Sequence, residues 1–149
     1  MSQVLKLSDR IQFLPVVHGS GSFAREVRHR LLSFPCDCLA VALPPEFQQT
    51  VEEGIKILPG ISLSCQVEQN GSMNYVPIDP SQPIIMGLRI AIQEGMSRHF
   101  IDWSTENHEK RGVDFPDSFA LSKLSYEKFI STLLLTVKRP KDKSQHFWR

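Results

Sequence analysis

Six residues, CLAVAL (38–43), constrain the fold more than any others. A continuous apolar run of this kind suits a strand covered on both faces, as in a parallel sheet. Its surroundings agree. Upstream, Phe23, Val27, Leu31 and Phe34 recur at helical spacing, Ser22 can cap that helix, and Pro35 ends it. Downstream, Pro44-Pro45 breaks the strand. Pro45 suits the first turn of a helix that carries Phe47, Val51, Ile55 and Leu58 as far as Pro59-Gly60. IQFLPVV (11–17) reads as an earlier strand, with Pro15 pointing to an edge position or a bulge. Strand, helix, strand, helix at this spacing predicts parallel pairing through right-handed crossovers.

The pattern changes after Gly60. ISLSCQVE (61–68) and MNYVPI (73–78) alternate and flank Gln69-Asn70-Gly71-Ser72, which predicts an antiparallel hairpin. PIIMGLRIAIQEG (83–95) reads as a helix with Gly95 at its C-terminal cap, and RHFID (98–102) as a buried strand. Residues 103–117 are polar and turn-rich, a rim loop or lid. Residues 118–137 return to helical periodicity through Phe119, Leu124, Phe129, Leu133 and Val137. The expected fold class is α/β: a mixed, mainly parallel sheet flanked by helices, with one antiparallel hairpin at about 61–78. We expect a single domain over 1–137 and a basic tail over 138–149, either a frayed end or the start of a further region.

Composition narrows the function classes. A chain of 149 residues suits one domain, and 41% hydrophobic with 22% charged residues is ordinary for a globular protein. A net charge of +1 gives no reason to expect nucleic acid or an acidic membrane surface, and Arg28-His29-Arg30 reads as a solvated helix face. Lys6, Asp9 and Arg10 interrupt any signal-peptide core in residues 1–17, and FISTLLLTV (129–137) is too short to span a bilayer. Three cysteines, Cys36, Cys38 and Cys65, make no even disulfide set, so a reduced, cytoplasmic protein is expected. Cys36-x-Cys38 is spaced poorly for zinc, and both sulfurs should lie buried on one side of the strand.

Ligands of open α/β sheets gather beyond the carboxyl ends of the strands. If the runs at 11–17, 38–43 and 98–102 are parallel, their tips bring together His18, Glu46, Asp79 and Asp102. One imidazole with two or three carboxylates can do acid–base work or hold a hard divalent metal. The turn Gly19-Ser20-Gly21-Ser22 adds backbone N–H groups at a helix start, where an anion can rest. Each element also has a plain structural role. His18 can be a hydrogen-bonded strand end, Asp79 before Pro80 a turn former, Asp102 a loop cap, and the glycines a tight bend. Sharper motifs are missing: there is no G-x-S-x-G elbow, no Walker A lysine, and His108-Glu109 lacks the second histidine of a zincin.

The segments VVHGSGSFAREVRHRLL, CDCLAVALPPEF and YVPIDPSQPIIMGLRIAIQEGMSRHFIDW together resemble an uncharacterised branch of the TraB, TIKI, ChaN and erythromycin-esterase superfamily, over about residues 11 to 103. The resemblance implies an α/β domain with its site at the strand ends, hydrolytic in some members and metal-assisted in some. The family's first-strand histidine falls on His18 and its later aspartate on Asp79. The acidic residue often found in the second-strand V-E-L is Ala42 here, which can neither bind metal nor move a proton. Two readings follow. One is a non-catalytic or incomplete member that binds a small ligand at the strand ends. The other is a hydrolase using His18 with Asp79 and Asp102, with the Gly19–Gly21 amides holding an anionic oxygen. The helix at 118–137 can bury its stripe within the chain or against a partner subunit.

Overall fold

The computed structural model describes residues 8–68, 71–103 and 117–136. The chain falls into two compact units: Leu14–Asp114, and Met1–Phe13 together with Phe115–Arg149. The larger unit contains α1 (Gly21–Ser33), β1 (Cys38–Val41), a single 3-10 turn at Pro45–Phe47, α2 (Gln48–Ile55), β2 (Ser62–Val67), β3 (Met73–Ile78), α3 (Pro83–Gln93) and β4 (Ser97–Phe100). The fold is α/β. β1 and β4 pair in parallel, and β2 and β3 form the antiparallel hairpin.

The first expected strand is absent. Residues 11–17 form no strand, only an isolated bridge at Gln12. Pro15 has no N–H to donate and divides the run, so no ladder propagates across it. The helix that follows starts at Gly21, and its cap is Ser20 rather than Ser22. The Ser20 Oγ accepts the Phe23 N–H at 3.5 Å.

In the parallel pair, Leu39 lies beside Arg98 and Val41 beside Phe100. Val41 and Phe100 are buried with Phe47, Val51, Ile55, Ile78, Ile85 and Leu88 in one apolar cluster. α1 packs along α3, and Gly87 of α3 faces Val27, Leu31 and Leu39. Cys38, Ala40, Ser97 and His99 on the other face are exposed. CLAVAL is therefore covered on one face among the described residues, not on two. Cys36 and Cys38 are exposed and free instead of buried, and Cys65 is exposed and free as well. The Cys36 Sγ lies 3.5 Å from the Met96 Sδ, and partial burial, with Asp37 beside it, pushes its thiol pKa up. Arg98 donates from Nε to Glu52 at 2.9 Å, tying β4 to α2.

The hairpin faces the opposite way from what apolar alternation suggests. Ser64 is buried towards α2 and hydrogen-bonds Thr50, whereas Leu63, Val67, Met73 and Tyr75 point out. Gly54 explains the orientation. A Cβ there would collide with the Ile78 Cδ1 and come within 3.1 Å of the Ser62 Oγ. Glycine on the helix and serines on the strand let α2 lie close, and larger side chains are left to the far side. Gln69 and Asn70 of the expected turn lie outside the described residues. Next to them, Glu68 donates its N–H to the Ser72 carbonyl at 2.8 Å.

α3 ends as the sequence indicates. Gly95 follows the helix at φ +68°, the Met96 N–H reaches back to the Ala91 carbonyl at 2.8 Å, and the Gly95 N–H reaches Ile92 at 3.4 Å. This is a Schellman arrangement, with Met96 and Ala91 both buried.

In the smaller unit, a 3-10 turn at Ser118–Ser122 is capped by Asp117, whose carboxylate accepts the Phe119 N–H at 2.9 Å. α4 (Tyr126–Thr136) follows, so the expected helix over 118–137 is two pieces separated at residues 123–125. Tyr126, Phe129, Ile130 and Leu133 are buried at helical spacing, while Phe119 and Leu124 are exposed and off that stripe. Val137, the loop over 104–116 with His108-Glu109, and the basic tail 138–149 lie outside the described residues. No helix among the described residues is long and apolar enough to cross a membrane.

Candidate functional site

His18 opens a turn, and the backbone decides what the turn can do. Gly19 sits at φ +69°, a left-handed conformation that glycine adopts without strain. The turn leads into α1 and leaves the His18 side chain exposed. The Gly19 N–H is thereby aimed across the fold at the Gln82 Oε1, which accepts it at 2.9 Å. Gln82 immediately precedes α3, so one side-chain amide fastens the start of α1 to the start of α3.

The second turn is Asp79-Pro80-Ser81-Gln82. The Asp79 Oδ1 accepts the Ser81 N–H at 2.7 Å and the Ser81 hydroxyl at 2.5 Å, and the Gln82 N–H donates to the Asp79 carbonyl at 3.2 Å. The Ser81 hydroxyl, helped by the Ser81 N–H and by the side-chain and backbone amides of Gln82, lowers the Asp79 pKa below the ordinary carboxylate value. Burial opposes this and loses. Gln82 thus touches both expected site segments, the histidine turn at Gly19 and the aspartate turn at Asp79.

Between these turns lies an open hollow of about 200 Å³. Leu43, Val76, Pro77, Ile84 and Ile85 give it aliphatic walls, and its polar side chains are His18, Tyr75 and Gln82. Leu43 stands just past the tip of β1. Its carbonyl accepts the Asp102 N–H at 3.1 Å, so His18 and the backbone of Asp102 both approach Leu43.

The expected site residues fall into three groups. His18 lines the hollow, and Gly19 and Asp79 adjoin it through Gln82. Asp102 stands at the end of β4 with an exposed side chain; its carboxylate accepts the following Trp103 N–H at 2.8 Å. Glu46 is exposed on the 3-10 turn, Ser20 is buried as a helix cap, and Gly21 and Ser22 form the first turn of α1. Among the described residues no hydrogen bond joins His18 to Asp79 or Asp102. Nor does any group of three or more His, Cys, Asp or Glu side chains stand together to hold a metal ion.

Gln82, Tyr75 and Leu43 are the site residues that sequence reasoning misses. The only available signal is the position of Gln82, directly before Pro83 at a helix start. A long polar side chain there is not needed for capping, and it makes no capping bond in α3. Compared with protein-family models, with curated proteins and with solved structures, the chain finds no match in any of the three.

Proposed function

We propose that the Leu14–Asp114 unit binds a small molecule in the His18 hollow and is a non-catalytic member at the margin of the erythromycin-esterase, ChaN and TraB superfamily. The observation that carries this reading is the lining: five aliphatic side chains face one imidazole, one phenol and one carboxamide. Such a surface favours a compact, mainly apolar ligand with one or two polar groups. At about 200 Å³ the hollow falls below the roughly 300–1,000 Å³ of drug-sized sites, which favours a fragment-sized occupant.

Binding is favoured over hydrolysis because the groups that hydrolysis needs are committed elsewhere. Asp79 is held as a carboxylate by Ser81 and Gln82 and has no bond to His18. The Gly19 amide, which would steady an oxyanion, already donates to Gln82. Ala42 brings no acid to the β1 tip. The three free, exposed cysteines support a reducing compartment, and we place the protein in the cytoplasm on that basis.

The test is an amide-resolved NMR titration with phenol, benzamide and benzoate as probes. Shifts concentrated at Gly19, Gln82 and Ile84, and abolished by Ile84→Arg, are expected. Shifts scattered over the surface would refute a site at the hollow. Cleavage of a nitrophenyl ester that disappears in His18→Ala would favour the hydrolase instead.

A further inference from the structure

The outer face of the β2–β3 hairpin is apolar from end to end. Leu63, Val67, Met73 and Tyr75 are 58 to 69% exposed, and Ile61 continues the alternation at 78%. We infer that a second copy of this chain covers this face, hairpin against hairpin about a two-fold axis.

Charge argues for this occupant. Cys65 and Pro77 complete the described face, whose Tyr75 and Pro77 also border the His18 hollow, and no side chain on it is ionisable to a cation. Anionic lipid headgroups and nucleic acid are held by Lys and Arg, and this face has neither. Selecting a different protein usually relies on complementary charges, which are also missing. An isologous contact needs only a patch that complements itself, and an uncharged stripe of aliphatic side chains with one tyrosine does so.

Area points the same way. Tyr75 is of the kind that buries roughly 150–250 Å² when whole, and with the four smaller side chains at these exposures the face offers on the order of 500 Å² per copy. A symmetric pair then buries on the order of 1,000 Å², the lower limit for a specific interface. The contact is therefore a weak, concentration-dependent dimer. A two-stranded hairpin is marginal in water on its own, and covering its outer face adds to the support that α2 gives its inner one.

Sedimentation velocity on the full chain tests this, from about 1 μM to several hundred micromolar, with an expected Kd of roughly tens to hundreds of micromolar. The double variant Leu63→Lys/Met73→Lys should keep its circular dichroism spectrum and dimerise at least about tenfold more weakly. As an independent readout, in a Cys36→Ser/Cys38→Ser background a short bismaleimide should join copies through Cys65, mid-strand on the face. The Lys pair should prevent this. A chain that stays monomeric throughout, a dimer indifferent to the Lys pair, or a dimer that Cys65 cannot link would each overturn the inference. So would a monomer that floats with neutral phosphatidylcholine vesicles through Leu63, since the occupant would then be lipid.

Discussion

The two strand pairs of the larger unit are both one-sided, and they are one-sided in opposite senses. β1 and β4 turn Val41 and Phe100 inward and leave Cys38, Ala40 and His99 outside. β2 and β3 turn Ser64 and Ile78 inward and leave Leu63, Val67, Met73 and Tyr75 outside. The first pair follows the hydrophobic effect as usually applied, with bulky apolar groups against the helices. In the second, the close approach of α2 through Gly54 and Thr50 decides which side is in. Alternation marks two faces of a strand, and the shape of the neighbouring element chooses between them.

The sharpest test compares like residues in the two settings. Leu88 is fully buried in the cluster under β1 and β4, and Leu88→Ala should lose about 2–5 kcal/mol in urea unfolding. Leu63→Ala on the open hairpin face should change stability by less than about 0.5 kcal/mol in dilute protein. Similar losses at the two positions would mean that the hairpin face is covered within one chain.

The next effect examines the reason for the inversion. Gly54→Ala puts a methyl group where Ile78 and Ser62 already stand, and should destabilise by about 1–3 kcal/mol. Ser62→Ala should be neutral or stabilising, because the Ser62 Oγ is buried without a hydrogen-bond partner in the structure. A tolerated Gly54→Ala would remove close packing as the cause. Ser20→Ala, which deletes the α1 cap beside the histidine turn, should cost about 1 kcal/mol.

The smallest effect is a pH dependence. Asp79 has a lowered folded pKa because of Ser81 and Gln82, and Glu52 has one because of Arg98. A depressed carboxylate contributes stability that is present above its unfolded pKa, about 3.9 for Asp and 4.3 for Glu, and fades as pH falls through the folded value. The stability gap between the native chain and Asp79→Asn should therefore be constant near neutrality and shrink below about pH 4. Urea midpoints measured down that range check it, and a gap that widens on acidification would contradict the assigned bonds.

Much of the architecture can be read before folding. The stripe from Ile85 to Ala91, stopped by Gly95, announces α3, and the alternating runs either side of Asn70-Gly71 announce the hairpin. What could not be read depends on contacts between distant segments. Pro15 interrupts an apolar run that then forms no strand, and no local rule says whether a partner tolerates it. The candidate site was legible at His18 and Asp79, which flank turns. Gln82 was not, because its importance comes from a glycine 63 residues away.

That glutamine gives the join between the two turns a polarity. A carboxamide has oxygen at one end and nitrogen at the other, so the Gln82 side chain can accept the Gly19 N–H in only one rotameric sense, while its backbone N–H holds the Asp79 carbonyl. Turned by half a revolution it would set nitrogen against an N–H. The two segments are thus keyed like plug and socket, and glutamate, identical in outline, would fill the space and accept the same N–H while bringing a negative charge to the join.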